Sequence, residues 1–267
     1  MQLRKGRLVN QNAYIEILDT FLSCMEFLAR PTLYSILYGY NDCESPRQAD
    51  LLVERLEERQ FVARTGRGKR AIYSITANGL RQASALSPMR HWETPWDGHW
   101  RAVLFDLPAN RPGVRQALWK ALRARKFGLL QRSVWVWPHE CEAILKEITD
   151  ARGVPECFCG LESRRLFLCT DEEVIETAWK FDDIGEHHTS YLESTKRLAT
   201  ALNKVKDMES LGRLARVERE AFRAAFAWDP LLPRRLCPKG YRGFQVERRH
   251  QEILQTLRNR MANLGNM

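Results

Sequence analysis

The chain has 267 residues, of which 44% are hydrophobic and 28% charged, so it is long enough for two or three folded domains and too apolar for a disordered chain. Its net charge of +9 at pH 7 favours an anionic partner such as nucleic acid, anionic lipid or a phosphorylated small molecule. No apolar run reaches the roughly 18 residues that a membrane span needs, and the first residues lack the apolar core of a signal peptide. We therefore expect a cytoplasmic protein without a membrane segment.

Two helices are predicted before residue 42. Residues 12–29 carry apolar side chains at helical spacing, and Pro31 begins a second, shorter helix with the sequence PTLYSILYGY. The polar residues 41–44 then predict a turn.

A third helix is predicted from Ser45. Ser45 is a good N-cap, Pro46 suits the first helical position, and Gln48 completes a capping box with Ser45. One face of this helix is apolar, comprising Ala49, Leu52, Val53 and Leu56.

A basic hairpin is predicted next. Phe61–Thr65 and Ala71–Thr76 are rich in the β-branched and aromatic residues of strands, and Gly66 and Gly68 permit a tight turn between them. The hairpin carries four cations and no acid. The order helix, helix, turn, helix, strand, strand is that of a winged helix-turn-helix, which places its last helix in the DNA major groove and the hairpin beside it.

The candidate DNA contacts lie at the start of the third helix and in the hairpin. Arg47 is in the first turn, and arginine binds guanine through O6 and N7. Gln48 is a weaker candidate because the capping box occupies its side chain, and acids at positions 50, 54 and 58 keep the rest of the outer face from phosphate. A solvated amphipathic helix remains the alternative. The full predicted set is Arg47, Gln48, Leu51, Arg55, Arg64, Arg67, Lys69 and Arg70.

A ferredoxin-like α+β domain is predicted after a linker rich in proline and tryptophan at residues 86–99. It comprises a strand at Trp100–Leu107, a helix at Val114–Lys126 ended by Gly128, one strand at Leu129–Trp137, a helix at about 139–151 and a strand-like piece at 158–170. From residue 182 the pattern predicts helices joined by the proline-rich DPLLPRRLCPKGYRG.

The expected fold class is therefore α+β. The predicted divisions are a winged helix at 1–88, the ferredoxin-like domain at 89–181 and a helical C-terminal domain at 182–267. A single domain over 90–267 is the competing division.

Asp106 is the one candidate for catalysis. A carboxylate at the end of a strand can hold Mg²⁺ together with substrate phosphates, and Asp97 and Asp171 are speculative companions. A turn or capping aspartate is the favoured reading of Asp106. The seven cysteines show no zinc spacing and predict reduced core thiols, so we expect no catalytic residue, metal or cofactor.

Three further groups have two readings each. Tryptophans at 92, 96, 100, 135 and 137 form either core or a ligand pocket, with core favoured, and His187-His188 is expected to be a surface pair. The cations Arg234, Arg235, Lys239 and Arg242 suit a coenzyme A phosphate or the DNA backbone, or are simply solvated.

Three separated segments carry a family resemblance, and one of them is the predicted N-terminal winged helix, which agrees with the family in kind and position. WDGHWRAVLFDLPANRPGVRQALWKALRARKFGLLQRSVWVWP resembles the central domain of the PaaX family, which represses phenylacetic acid catabolism genes. FAWDPLLPRRLCPKGYRGF resembles that family's D-P-x-L-P…P-x-W-P-G stretch, with Tyr241 and Arg242 in place of Trp-Pro. The middle segment is also similar to the ferredoxin-like subunit of the CRISPR spacer-integration complex, in which some members are metal-dependent nucleases.

The resemblance implies a homodimeric repressor of transcription that binds double-stranded DNA. It also implies an acyl-CoA effector such as phenylacetyl-CoA, whose binding releases the DNA, and it implies no enzymatic activity. The alternative is a metal-dependent nuclease centred on Asp106, or a nucleic-acid-binding module without an effector.

Overall fold

The computed structural model describes residues 54–66, 71–79, 88–106, 112–150, 158–164 and 166–265. The chain divides into two compact units. One comprises residues 1–90, 194–221 and 248–267, and the other comprises residues 91–193 and 222–247. Each unit joins separate stretches of the chain, and the predicted division into three consecutive domains stays a prediction.

In the first unit, strands β1 (Val62–Thr65) and β2 (Ile72–Ile75) form a two-stranded antiparallel sheet. Residues 54–58 before β1 and 77–79 after β2 are helical. Helix α1 (Pro88–Glu93) follows along the chain.

The second unit contains a four-stranded sheet with two helices between its strands. In chain order these are β3 (Trp100–Phe105), α2 (Pro112–Ala124), β4 (Gly128–Gln131), β5 (Val134–Trp137), α3 (Glu142–Asp150) and β6 (Phe158–Ser163). The sheet order is β4-β5-β3-β6, and all neighbours are antiparallel. The order β-α-β-β-α-β with this arrangement is the ferredoxin-like fold, as predicted.

Hydrophobic cores cover both faces of this sheet, because successive side chains of a strand point to opposite faces. On one face, Val103 and Trp135 pack with Leu118 and Leu122 of α2 and Ile148 of α3. On the other face, the core is formed by Trp100, Val136, Val174, Ile175, Trp179, Ile184, Leu232 and Leu236.

The single strand predicted over Leu129–Trp137 is wrong. Arg132 and Ser133 form a turn there, and Gln131 pairs with Val134 across it. The apolar residues on both sides of this turn resemble one buried strand because period alone does not mark a two-residue turn. The resulting hairpin supplies the second and third strands of the ferredoxin-like sheet.

The end of α2 also differs from the prediction. The helix ends at Ala124, and Lys126, with φ 70°, adopts the left-handed conformation that a glycine was expected to supply. Gly128 begins β4 instead, and a Cβ there would meet the indole of Trp179 and the Cβ of Ala178 at 2.6–2.7 Å. Gly128 is therefore required by packing rather than by the helix end.

Four helices account for most of the chain after the sheet. They are α4 (Asp171–Ala178), α5 (Phe181–Lys204), α6 (Met208–Phe226) and α7 (Gly243–Gly265). The strand-like piece predicted through residue 170 ends at Ser163. The T-x-x-E capping box of Thr170 and Glu173, which begins α4, is the sequence signal that identifies this helix.

The fold class is α+β, as expected. Among the helices of the described residues, none combines the length and the apolar character that crossing a membrane requires.

Candidate nucleic-acid interface

The predicted hairpin is confirmed in its strands and its direction. Val62 pairs with Ile75 and Thr65 with Ile72. Thr76 closes the base, because its main-chain N–H donates to the Phe61 carbonyl at 3.0 Å and its hydroxyl donates to the Gln60 carbonyl at 2.5 Å.

The turn at the top of the hairpin begins at Gly66. Its φ of 92° is a conformation that side-chain-bearing residues rarely adopt, so glycine is needed at this position. The basic tip residues that follow lie outside the described residues: Arg67, Lys69 and Arg70.

Arg64 is the hairpin cation that the structure describes. Its side chain is exposed, and its Cζ atom lies 5.9 Å from the ring centroid of the buried Tyr73, its cross-strand neighbour. A guanidinium over an aromatic ring is held in place while its N–H groups stay available. Arg64 can therefore meet a phosphate on this face of the hairpin.

The end of the third predicted helix is partly described. Leu56 is fully buried, as its place on the apolar face predicts, while Arg55 is half-buried and already engaged within the protein. Of the remaining candidates, Arg47, Gln48 and Leu51 lie outside the described residues. The assignment of all these residues to a DNA surface stays a prediction.

Asp97 and Asp171, the companions considered for Asp106, do not lie beside it. It is exposed just after the end of β3, whereas Asp97 and Asp171 contact Arg101 and Trp100 at the start of that strand. The two ends are about 20 Å apart at the rise of a strand. Within the described residues, no group of three or more His, Cys, Asp or Glu is arranged to hold a metal ion.

The start of β3 carries a buried arginine. The Arg101 side chain is 8% exposed, and its guanidinium donates to both carboxylate oxygens of Asp97, at 2.9 and 2.5 Å, and to Glu162 at 3.0 Å. It also donates to the main-chain oxygens of His99 and Pro138. The hydrogen bonds from Arg101 hold the pKa of Asp97 well below its usual range. These bonds join the start of β3 to Asp97, to Glu162 on β6 and to the main chain just after β5.

The His187-His188 pair is not a surface pair. His187 is exposed, but His188 is fully buried, with its Nε2 atom 3.0 Å from the Oδ2 atom of the buried Asp229. The Tyr241 hydroxyl donates to the same oxygen at 2.6 Å. Burial, together with the charge of Asp229, raises the pKa of Tyr241 far above its usual range. The spacing of apolar neighbours along α5 did not single out His188.

Three of the five tryptophans considered above are buried in the core, and Trp96 and Trp137 are half-buried against it. Trp92, Trp100 and Trp135 are each at most 3% exposed. Trp92 makes edge-to-face contacts with Tyr241 and Phe244 at centroid distances of 6.0 and 4.7 Å.

The expectation of core thiols holds for only part of the described cysteines. Cys141 is buried and Cys237 half-buried, whereas Cys159 and Cys169 are exposed. Burial raises the pKa of Cys141 to about 11 and that of Cys237 to about 12.

Residues 93–175 match the sequence model of the PaaX protein central Cas2-like domain, and these residues contain the whole ferredoxin-like sheet. This segment is similar to the central domain of the PaaX family. The predicted PaaX resemblance is thereby confirmed. The description of this domain as Cas2-like agrees with the predicted similarity to the ferredoxin-like subunit of the CRISPR spacer-integration complex. A PaaX-type domain indicates a PaaX-like regulator in general.

The chain is similar to a solved structure over almost its full length. That structure is of an uncharacterized protein, Rv0674, from Mycobacterium tuberculosis, with 18% sequence identity and a TM-score of 0.53. The likeness covers 94% of this chain and 97% of that chain, and at this identity it shows the fold alone. No curated protein matches the chain.

Proposed function

We propose that this PaaX-like chain is a transcriptional repressor that binds double-stranded DNA through an N-terminal winged helix-turn-helix. The observation that carries the proposal is the antiparallel hairpin β1–β2, with a left-handed Gly66 before its basic tip and the exposed Arg64 on its side. A hairpin of this kind, directly after a helix whose described part, residues 54–58, contains the buried Leu56, is typical of the wing of a winged helix and supports the proposal.

The electrostatic part of the binding belongs to the wing and the specific part to the helix. Lysine and arginine side chains that neutralise phosphates supply affinity independent of sequence. Arg47, in the first turn of the predicted recognition helix, is the main candidate for reading a base. One recognition helix with a single main base contact gives little specificity, and two copies that bind a two-fold-symmetric site give more. The proposed repressor is therefore a homodimer in the cytoplasm.

An acyl-CoA such as phenylacetyl-CoA is the proposed effector. It would release the DNA by binding more tightly to a dimer geometry whose recognition helices no longer match the spacing of the two half-sites. The effector belongs to the proposal through the PaaX resemblance.

The test is selection from a random duplex DNA library with the full chain, followed by fluorescence anisotropy on the enriched duplex. The proposal expects a two-fold-symmetric enriched site, a dimer by analytical ultracentrifugation and release of the duplex by phenylacetyl-CoA. Absence of any enriched sequence, with binding no tighter than to unselected duplex, would refute the DNA-binding function. Enrichment without release by an acyl-CoA would refute the effector alone.

A further inference from the structure

The loop between α6 and α7, residues 227–242, presents cations without acidic partners. Its one acidic residue, Asp229, is buried, while its four basic residues are all exposed. Within the part of the chain that the structure describes, none of the four forms an ion pair with a carboxylate. They are Arg234, Arg235, Lys239 and Arg242.

The backbone of this loop is fixed at both ends by Asp229. One carboxylate oxygen accepts the main-chain N–H of Leu231 at 2.7 Å, and the other accepts the Tyr241 hydroxyl at 2.6 Å. Leu232 and Leu236 anchor the middle of the loop in the core under the sheet. The Tyr241 ring covers the backbone of Gly243 so closely that a Cβ there would overlap the phenol. A loop tied in this way keeps its cations in place without a ligand.

Two guanidinium groups near the start of α7 are held by contacts within the protein. The Cζ atom of Arg234 lies 4.3 Å from the ring centroid of Phe244, the second residue of the helix. Arg242 directly precedes the helix, and its side chain donates to the Thr189 hydroxyl at 2.6 Å. The first turn of α7 contains no acidic residue, and the nearest acid along the helix, Glu247, is buried.

We propose that Arg234 and Arg242, with Lys239 between them in sequence, bind the phosphate groups of a small ligand. Arginine is the side chain best suited to phosphate because its planar N–H groups form charged hydrogen bonds in pairs. The stacking on Phe244 and the bond to Thr189 hold the two side chains in advance, which lowers the entropy lost on binding. In a loop that is merely solvated, the cations would lack such contacts with an aromatic ring and a hydroxyl group.

The footprint fits a small ligand better than a DNA backbone. A protein that neutralises about 6–10 phosphates of a DNA backbone needs its cations spread along a longer surface. Here the cations occupy one loop and one helix end, which suits a diphosphate or a phosphorylated nucleotide. The surface would give the phosphates of the proposed effector a place to bind, and in that respect it rests on the proposed function. The phosphate-binding experiment contains no DNA, so the proposed phosphate site and the proposed DNA-binding function can be refuted independently.

The experiment is isothermal titration of the full chain with pyrophosphate and with free coenzyme A. The loop variant is Arg234→Gln with Arg242→Gln, and the matched control is Lys120→Gln with Lys146→Gln, which removes the same charge from exposed positions on α2 and α3. Wild type and control are expected to bind both probes, and the loop variant is expected to bind at least about tenfold more weakly.

Equal affinity in wild type and the loop variant, or no binding of either probe at about 1 mM, overturns the proposal. Loss of duplex DNA affinity in the loop variant, with neither probe bound by wild type, assigns the surface to DNA and overturns it as well. If the loop variant does not fold by circular dichroism, Lys239→Gln carries the same test, because no described residue bonds its ammonium group.

Discussion

The ammonium group of Lys126 donates hydrogen bonds to the main-chain oxygens of Phe226 and Ala227, each at 2.8 Å. These carbonyls lie at the end of α6, where main-chain oxygens lack helical partners and a positive charge is favourable. Burial lowers the pKa of Lys126, which means that desolvation disfavours its charged form. The two hydrogen bonds to the carbonyl oxygens offset this cost.

Replacing Lys126 with Met keeps the stem and removes the donors. The free energy of unfolding is expected to fall by about 1–3 kcal/mol, since two carbonyl oxygens lose a charged donor. Urea denaturation followed by circular dichroism measures the change. Lys120→Met, on the exposed side of α2, is the control and should be near neutral. An unchanged midpoint for Lys126→Met would show that water replaces the ammonium group without cost.

Tyr241→Phe is expected to destabilise the loop that follows α6. The variant removes one donor to the buried carboxylate of Asp229 and leaves its Oδ2 atom with His188 alone. A hydrogen bond to a charged group contributes about 1.5–3 kcal/mol, and the loss should appear in urea denaturation. The raised pKa of Tyr241 keeps the phenol protonated in the folded protein. The difference in the free energy of unfolding between wild type and variant should therefore stay constant from about pH 6 to about pH 9. A difference that vanishes toward pH 9 would contradict the assignment.

Asp97 should contribute to the acid sensitivity of the protein. Its carboxyl pKa is lowered in the folded state by Arg101, so the folded protein binds its proton less readily than the unfolded chain. The stabilisation is therefore present above the ordinary aspartate pKa of about 3.9 and is lost as the pH falls below it.

Asp97→Asn is expected to lower stability at pH 7 and to flatten the decline of stability between about pH 5 and 3. Melting temperatures across that range provide the measurement. The control is Asp150→Asn at the exposed end of α3, which should leave the slope unchanged. The same slope in Asp97→Asn and wild type would mean that Arg101 does not perturb this carboxyl.

The thiols should separate into two reactivity classes. A maleimide reacts with the thiolate, and the raised pKa values of Cys141 and Cys237, about 11 and 12, leave little thiolate at pH 8. Peptide mapping by mass spectrometry after a short exposure is expected to find label on Cys159 and Cys169 and little on the other two. Rapid labelling of Cys237 in the folded protein would show that the loop opens readily.

The ferredoxin-like fold was predictable because β3, α2 and α3 follow clear hydrophobic periods. The sequence did not predict that β4 and β5 are two strands. The turn between them, Arg132 and Ser133, contains no glycine or proline to mark it. The strand pairing of the hairpin β1–β2 was predictable from its β-branched runs and from Gly66.

The buried polar contacts were not predictable from local sequence. Tyr241 and Asp229 are 12 positions apart, and His188 and Lys126 reach the same region from other elements. Only the fold brings these residues together, and their neighbours in sequence give no sign of it. His188 was therefore expected at the surface, although it is fully buried.

The wing cations Arg67 and Lys69 provide the test of the proposed DNA surface. Changing both to Ala should weaken binding to every duplex and reduce the slope of log affinity against log salt by about 2, at roughly 0.9 per phosphate contact. Arg47→Ala should instead relax the preference at particular base pairs, at a cost of about 1–3 kcal/mol on the selected site.

Fluorescence anisotropy at several salt concentrations, on selected and scrambled duplexes, separates the two effects. Lys120→Ala with Lys146→Ala removes the same charge from the ferredoxin-like helices, where a winged helix predicts no DNA contact. If the control lowers the salt slope as much as the wing variant does, attraction comes from the net charge of the protein and not from the hairpin. If only the wing variant lowers the salt slope, the phosphate contacts belong to the residues that follow Gly66. The two variants remove equal charge, so they differ only in the position of the charges removed.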